Sequence, residues 1–295
     1  MSEKFKEKCC ADLAGEKPRI KVPTRAEREK VKALIEGLGL TTVCKEAACP
    51  NIWECFQRHT ATFMIMGDVC TRNCRFCNVR TGRPAPLDPG EPERLASAIK
   101  ELGLKYAVIT CVTRDDLPDG GAEHFVKTIE AVRAVSPNTK VEILTSDFAG
   151  NSAALEKVLA ARPAVFNHNL ETVERLTPVL RTKATYLRSL AVLNYAYRMF
   201  PDIPTKSGIM VGCGETMEEI RGAIRDLKAA GCSLLTVGQY LAPDEKCHPV
   251  EKYYSEAEFA EIKAYALNMG FVGAACGPLV RSSYRAGEMA ERVYG

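Results

Sequence analysis

Short apolar segments and segments of helical periodicity alternate along most of the chain. Six apolar segments predict β-strands, at residues 62–66, 106–110, 141–145, 165–167, 206–210 and 234–239. Helical patterns occupy the gaps, at residues 92–102, 122–135, 152–161, 184–200, 215–230 and 256–268. The strand segments are apolar on both faces, as parallel strands covered by helices require. The pattern predicts an α/β protein of βα units, and a doubly wound sheet fits it as well as a full or partial (β/α) barrel.

Segments of different character precede and follow this alternation. Residues 1–60 are charged, and a helical apolar face at Val31, Leu34, Ile35 and Leu38 ends at glycines. The tail is polar after Gly277-Pro278. We therefore divide the chain into an N-terminal helical extension (1–60), an α/β unit (61–272) and a C-terminal extension (273–295).

Composition excludes several classes of protein. With 46% hydrophobic and 26% charged residues, the chain has the make-up of an ordinary globular protein. Its 40 basic residues nearly balance 37 acidic ones, so we expect no nucleic-acid partner. The longest uncharged run, residues 264–280, is too short and too broken by Pro278 and glycines to span a membrane. The N-terminus lacks the apolar region of a signal peptide, so we expect a cytoplasmic protein.

Thirteen cysteines are the unusual feature of this composition. A disulfide-rich secreted scaffold and buried thiols are the ordinary explanations, but clustered cysteines in an intracellular chain indicate metal binding or catalysis. Cys70, Cys74 and Cys77 form a C-x3-C-x2-C motif directly after the first predicted strand. A closed zinc site needs four ligands, and no fourth Cys or His is within reach in sequence. Three thiolates suit a [4Fe–4S] cluster with one open iron, placed where α/β barrels build their sites.

A second cysteine motif lies upstream of the first. Cys44, Cys49 and Cys55 are spaced C-x4-C-x5-C, so three thiolates again lie close together. The fourth ligand of any cluster there must come from elsewhere in the chain. Stray core cysteines are the alternative explanation for this triplet taken by itself.

The downstream motif, with Phe76 before its last cysteine, resembles the radical S-adenosylmethionine superfamily. There the open iron chelates the amine and carboxylate of S-adenosylmethionine, and electron transfer yields a 5′-deoxyadenosyl radical. The two motifs in this order resemble the lipoyl synthase family. The similarity includes residues 112–122, 167–172, 207–212, 236–240 and 281–284. It implies a partial (β/α)6 barrel of the TIM type, flanked by the two extensions.

The resemblance also implies an activity, cofactors and partners. Family members insert two sulfurs, at C6 and C8, into an octanoyl group on a lysine of a carrier domain. They use S-adenosylmethionine and two [4Fe–4S] clusters, of which the auxiliary one donates the sulfur. The implied partners are the E2 subunits of 2-oxoacid dehydrogenases, the glycine cleavage H protein, a flavodoxin- or ferredoxin-type reductant and an iron–sulfur carrier for cluster rebuilding. We expect a monomer.

Site residues carry over to matching positions of this chain. The upstream triplet would hold the auxiliary cluster, with Ser283 as fourth ligand and Ser282 as its competitor. Contacts to S-adenosylmethionine would come from Thr113, Asn169, Glu171, Met210 and Gly212. The alternatives are a loop salt bridge around Arg114 and Asp115, a surface loop at 169–171, and a strand end with a glycine turn at 208–212.

Two rival functions remain open at this point. Another sulfur-inserting radical enzyme of the biotin synthase kind would lack the upstream motif, and a non-catalytic iron–sulfur carrier would need neither a barrel nor an open iron. The segment Arg181-Thr-Lys-Ala-Thr departs from the family's Arg-Pro-Gly-Ala-Thr. We expect Cys111 and Cys232 to be core thiols and Cys213 to have a packing role, and we assign no role to the four histidines.

Overall fold

Strands and helices alternate throughout the computed structural model, which describes residues 62–294 together with 16, 37 and 40–42. The strands are β1 (Thr41–Thr42), β2 (Thr62–Ile65), β3 (Val69–Cys70), β4 (Arg80–Thr81), β5 (Tyr106–Cys111), β6 (Lys140–Leu144), β7 (Val165–Asn167), β8 (Thr205–Val211), β9 (Leu234–Gln239) and β10 (Gly273–Gly277). The helices are α1 (Glu91–Glu101), α2 (Ala122–Val135), α3 (Ser152–Ala160), α4 (Thr177–Leu180), α5 (Tyr186–Met199), α6 (Met217–Ala229), α7 (Glu256–Asn268) and α8 (Ala286–Tyr294). The apolar face predicted around Val31 and the upstream cysteine triplet lie outside the described residues.

Eight strands form one sheet in chain order, β1-β2-β5-β6-β7-β8-β9-β10. The β1 strand runs antiparallel to β2, and every other neighbouring pair is parallel. Consecutive βα units give this order when each crossover is right-handed, as in TIM-type barrels. The predicted α/β fold class and all six predicted strands are confirmed. The sequence pattern missed β10, because its Gly-Ala-Ala-Cys-Gly stretch has no β-branched or aromatic residue.

Several helices begin at a capping residue whose side chain accepts a hydrogen bond from a free N–H group of the first turn. The side chain of Thr216 accepts a hydrogen bond from the N–H of Glu219, and the Glu219 carboxylate accepts one from the N–H of Thr216. Ser255 and Glu258 form the same capping box at the start of α7. Within the described residues, no helix combines the length and apolar character needed to cross a bilayer.

A buried charge network lies on the inner face of the sheet. The Lys206 ammonium on β8 donates to the Glu142 carboxylate on β6 at 2.8 Å, and both side chains are fully buried. The same carboxylate accepts from Asn167 Nδ2 at 3.0 Å and from the Tyr106 hydroxyl at 2.7 Å. These hydrogen bonds compensate for the loss of water around the two charges.

The C-terminal segment covers this inner face. Ala286, Met289 and Ala290 of α8 pack in one cluster with Tyr106, Val108, Val165 and Leu234 from three strands. Before the helix, the chain passes so close to β9 that a Cβ on Gly238 would lie 2.0 Å from the Val280 carbonyl oxygen. The segment predicted as an extension therefore contributes both a strand and the filling of the sheet's concave side.

Lys206→Met is expected to lower the free energy of unfolding by about 3–5 kcal/mol, because it leaves the Glu142 carboxylate buried without its cation. The double variant Lys206→Met/Glu142→Leu removes both charges and should be more stable than the single variant. Urea unfolding of the reduced protein measures both. A double variant less stable than Lys206→Met would contradict this account of the network.

Candidate cluster and cofactor site

Three cysteine thiols line one cavity of about 180 Å³ at the carboxyl ends of the parallel strands. Cys70 ends β3, and Cys74 and Cys77 follow it on the same loop. The remaining lining comes from the loop itself and from the ends of successive strands: Met64, Arg72, Phe76, Val79, Thr110, Cys111, Val112, Thr113, Leu144, Thr145, Ser146, Asp147, His168, Asn169, Glu171, Arg181 and Ala184. Parallel strands bring these ends to one edge of the sheet, so residues distant in sequence share one cavity.

The thiol chemistry of the cavity fits an iron–sulfur cluster. Within the described residues, no three His, Cys, Asp or Glu side chains surround the position of a single metal ion. Each thiolate of a four-iron cluster binds a different iron, so the ligands of such a cluster lie apart from one another. Burial raises the pKa of the Cys77 thiol to about 12 and raises that of Cys74. Such thiols stay protonated until a metal binds, and metal coordination deprotonates them.

A buried guanidinium fixes the cysteine loop to the sheet. Arg72 donates to both oxygens of Asp115, at 2.9 and 2.7 Å, and to Asp147 at 2.7 Å. The Arg72 and Asp147 side chains are 5% and 0% exposed, so this ion pair is shielded from water. Burial disfavours ionisation of Asp147, but the hydrogen bond and charge of Arg72 outweigh it and hold the pKa of this carboxyl below its usual range. The loop is thereby held by the segments that follow β5 and β6.

Hydrogen bonds to backbone atoms hold the same loop at three points. The Thr113 carbonyl accepts from Thr71 N at 3.1 Å and from its hydroxyl at 3.0 Å. Arg75 N donates to the Leu180 carbonyl at 2.9 Å, and the Arg75 carbonyl accepts from His248 N at 2.7 Å. The segments after β5, β7 and β9 thus all contact the cysteine loop directly.

The turn at 181–185, where the sequence departs from the family pattern, also touches this loop. The Thr182 hydroxyl donates to the Asn73 carbonyl, a contact that proline could not make. Lys183 has a φ of 61°, in the left-handed region that favours glycine. The departure therefore adds a contact to the loop at one position and strain at the next.

The structure places three of the five predicted cofactor residues in the cavity. Thr113, Asn169 and Glu171 line it with the cysteines, and Asn169 Nδ2 donates to Glu171 Oε1 at 3.0 Å. Burial raises the pKa of Glu171, and the charge of Arg181 partly opposes this. Met210 and Gly212 are not among the lining residues. Gly212 has a φ of 112°, and a Cβ there would lie 2.2 Å from Gln239 Nε2, so packing alone accounts for this glycine.

Four residues of the cavity with ionisable side chains were not predicted as site residues from the sequence. Arg72, Asp147, His168 and Arg181 carry no spacing or periodicity signal, because their partners lie far away in sequence. Arg181 donates to Ser189 Oγ at 2.7 Å, and Ser189 Oγ lies 3.0 Å from His168 Nε2. His168 Nδ1 in turn lies 2.9 Å from the Thr145 carbonyl, and burial lowers the pKa of the imidazole to about 4. The ring is therefore neutral at physiological pH and donates from Nδ1.

Other predicted residues have clear positions. Cys232 and Cys213 are buried in the core, as predicted. Cys111 is half-buried and lines the cavity rather than the core alone. Arg114 pairs with Asp116 at 2.8 Å and Asp115 pairs with Arg72, which corresponds to the loop salt-bridge alternative.

Comparison with known proteins identifies the family. The model of the radical SAM superfamily matches residues 64–227. A lipoyl synthase of Caldicellulosiruptor saccharolyticus is 52% identical over 270 residues, which cover 92% of this chain and 95% of that protein. One of Rubrobacter xylanophilus is 53% identical over 273 residues, covering 92% of this chain and 85% of its own. The chain belongs to the lipoyl synthase family. Membership confirms the predicted cofactors, two [4Fe–4S] clusters and S-adenosylmethionine.

Solved structures support the fold of this lipoyl synthase family member. Methylornithine synthase aligns with a TM-score of 0.53 at 16% identity, over 72% of this chain and 70% of that one. HydG, a maturase of the [FeFe]-hydrogenase, aligns with a TM-score of 0.59 at 17% identity, over 79% and 54%. At these identities the likeness concerns the fold alone.

Arg72→Met is expected to lower the free energy of unfolding of the cluster-free, reduced protein by about 3–5 kcal/mol, because it leaves Asp147 buried without its main cation. Urea unfolding measures the loss. The matched control is Arg80→Met, which removes an ion pair with Asp68 between exposed side chains and should cost less than about 1 kcal/mol. Equal losses of unfolding free energy in the two variants would show that Arg72 does not hold the cysteine loop to the sheet.

His168 predicts a pH dependence of stability. Its pKa in the folded protein, about 4, lies below the ordinary 6.5. Between these pH values the imidazole is protonated in the unfolded chain and neutral in the folded protein. The resulting stabilisation, about 3 kcal/mol, is complete above pH 6.5 and is lost as the pH falls toward 4. His168→Gln should therefore lose less stability over this range in urea unfolding of cluster-free protein. A variant curve parallel to the wild-type curve would argue against a neutral buried imidazole.

Proposed function

We propose that this protein is a lipoyl synthase that inserts two sulfurs, at C6 and C8, into an octanoyl group amide-linked to a lysine of a lipoyl domain. The observation that carries the proposal is the single cavity that Cys70, Cys74 and Cys77 share with Thr113, Asn169 and Glu171. Identity above 50% to lipoyl synthases over more than nine-tenths of the chain supports the substrate class.

The three cysteines would hold the cluster whose open iron binds S-adenosylmethionine. When bound, this pair of cofactors supplies a carbon radical, which the substrate requires because an unactivated C–H bond has no acidic proton for a base to remove. Met64, Val112 and Leu144 give the cavity apolar walls that exclude water from such a species.

The carboxyl group of Glu171 and the guanidinium of Arg181 suit the methionine part of S-adenosylmethionine. An amino acid carries an ammonium and a carboxylate on one carbon, and the cavity offers a carboxyl group and a guanidinium among its lining residues. Arg181 is oriented by its hydrogen bonds to Ser189 Oγ and to the Leu170 carbonyl at 3.2 Å. Arginine keeps its charge even when burial lowers its pKa, so the cation is present at physiological pH.

Cys44, Cys49 and Cys55 would hold the auxiliary cluster, with Ser283 as the fourth ligand. The hydroxyl of its competitor, Ser282, is already engaged by the side chain of Asn169 at 2.8 and 3.0 Å. An alkoxide is a harder ligand than thiolate and binds iron–sulfur clusters less favourably. Such a ligand is easily released, which suits a cluster that must open to donate sulfur.

The partners and location follow from this activity. The carrier substrates would be the E2 subunits of 2-oxoacid dehydrogenases and the glycine cleavage H protein. A flavodoxin or ferredoxin would deliver electrons to a monomeric enzyme, and an iron–sulfur carrier would rebuild the spent cluster. All eight cysteines in the described residues are free thiols, which a reducing cytoplasm maintains.

Anaerobic reconstitution should load about eight irons per chain, as two four-iron clusters require. With S-adenosylmethionine, a reductant and an octanoylated carrier peptide, the protein should yield 5′-deoxyadenosine and a peptide that has gained two sulfurs by mass spectrometry. Cys74→Ala should abolish cleavage of S-adenosylmethionine, because one ligand of the reactive cluster is lost.

Cys44→Ala is the matched variant at the upstream motif. It should keep most cleavage of S-adenosylmethionine and lose sulfur insertion, with about four irons bound. Cleavage without any gain of sulfur in the wild-type product would refute the lipoyl assignment. Iron binding with no cleavage would instead favour a non-catalytic carrier.

A further inference from the structure

The C-terminal segment reaches the cofactor cavity through two glycines on the inner face of the sheet. Gly238 on β9 leaves room for the Val280 carbonyl, as described above. On the adjacent strand β8, a Cβ on Gly208 would lie 2.8 Å from Asn169 Oδ1 and 2.9 Å from Ser282 Oγ. Both distances are below any ordinary carbon contact, so Ser282 can meet Asn169 because residue 208 has no side chain.

The contact between Ser282 and Asn169 is close and reciprocal. Asn169 Nδ2 lies 2.8 Å from Ser282 Oγ, and the hydroxyl lies 3.0 Å from Asn169 Oδ1. The same Nδ2 donates to Glu171 Oε1 at 3.0 Å. Both N–H groups of the amide are therefore engaged, one by a cavity residue and one by the C-terminal segment, so the orientation of Asn169 is fixed before a ligand arrives.

We propose that Ser282 is a positioning residue for Asn169, through which the C-terminal segment that bears Ser283 sets the affinity of the cavity for S-adenosylmethionine. The proposal rests on the proposed function, because Asn169 acts there as a contact to S-adenosylmethionine and Ser283 as a cluster ligand. Ser283 then binds the auxiliary cluster, and Ser282 orients Asn169 in the cofactor cavity. A preorganised amide binds more tightly because the ligand need not immobilise it.

Coupling of this kind is reciprocal. If the seated segment favours binding of S-adenosylmethionine, bound S-adenosylmethionine must favour the seated segment by the same factor. The affinity of the cavity for S-adenosylmethionine therefore depends on whether the C-terminal segment is in place.

The test is equilibrium dialysis of S-adenosylmethionine against the anaerobically reconstituted full chain. Ser282→Ala should weaken binding about 3- to 10-fold, the loss expected from one hydrogen bond and a freed side chain. In an Asn169→Ala background, Ser282→Ala should have no further effect, because the group that it positions is absent. Ser282→Thr retains the hydroxyl and should keep the wild-type affinity.

Unchanged or tighter binding by Ser282→Ala would overturn the proposal, as would an equal loss in the Asn169→Ala background. Wild-type protein that binds no S-adenosylmethionine would instead refute the proposed function. Iron analysis accompanies each measurement. If Ser282→Ala loses iron, the comparison is repeated in a Cys44→Ala background, where the auxiliary cluster is absent and the same weakening is expected. Full affinity there would also overturn the proposal.

Gly208→Ala tests the same contact from the strand side. Its methyl group would separate Asn169 from Ser282 without removing either group, so binding of S-adenosylmethionine should weaken. The matched control is Gly222→Ala on α6, at a half-buried position where a Cβ would meet only the end of Arg225 at 3.7 Å. Full affinity in Gly208→Ala would count against the proposal.

Discussion

The buried guanidinium of Arg72 is the interaction on which the cofactor site depends. Three thiols on an irregular loop have no intrinsic reason to face one cavity, since such a loop has many conformations of similar energy. Arg72 lies between the first two cysteines, and its fixed fork of donors engages Asp115 and Asp147 at once. One side chain thereby fastens the loop to the segments after two different strands.

The parallel sheet makes this anchoring possible. Each βα unit brings the carboxyl end of its strand to the same edge, so the segments after β5, β6, β7 and β9 surround the cysteine loop between β3 and β4. Several polar side chains near this edge are linked to one another: Arg181, Ser189 and His168 form a chain of hydrogen bonds that ends on the Thr145 carbonyl. Such a chain holds its members in one orientation, which a cavity for a charged cofactor requires.

Two glycines near the end of β8, Gly208 and Gly212, leave space for different neighbouring side chains. The resemblance to the family predicts contacts of Met210 and Gly212, at the end of β8, with S-adenosylmethionine. In the structure, Gly208 accommodates Ser282 and Asn169, while Gly212 accommodates the side chain of Gln239. The C-terminal segment thus occupies part of the space that Gly208 leaves open, and its hydrogen bond to Asn169 joins residues 113 positions apart in sequence.

The sequence by itself determined six strands, six helices and the trio of thiols, because hydrophobic periodicity and ligand spacing are local properties of a chain. It also pointed to Thr113, Asn169 and Glu171, which the structure places together. Tertiary structure alone decided the partners of Arg72, which lie 43 and 75 residues away, and the use of β10 and α8 to fill the concave face. Those contacts depend on which strand ends become neighbours, and pairing across a sheet leaves no periodic signal in either segment.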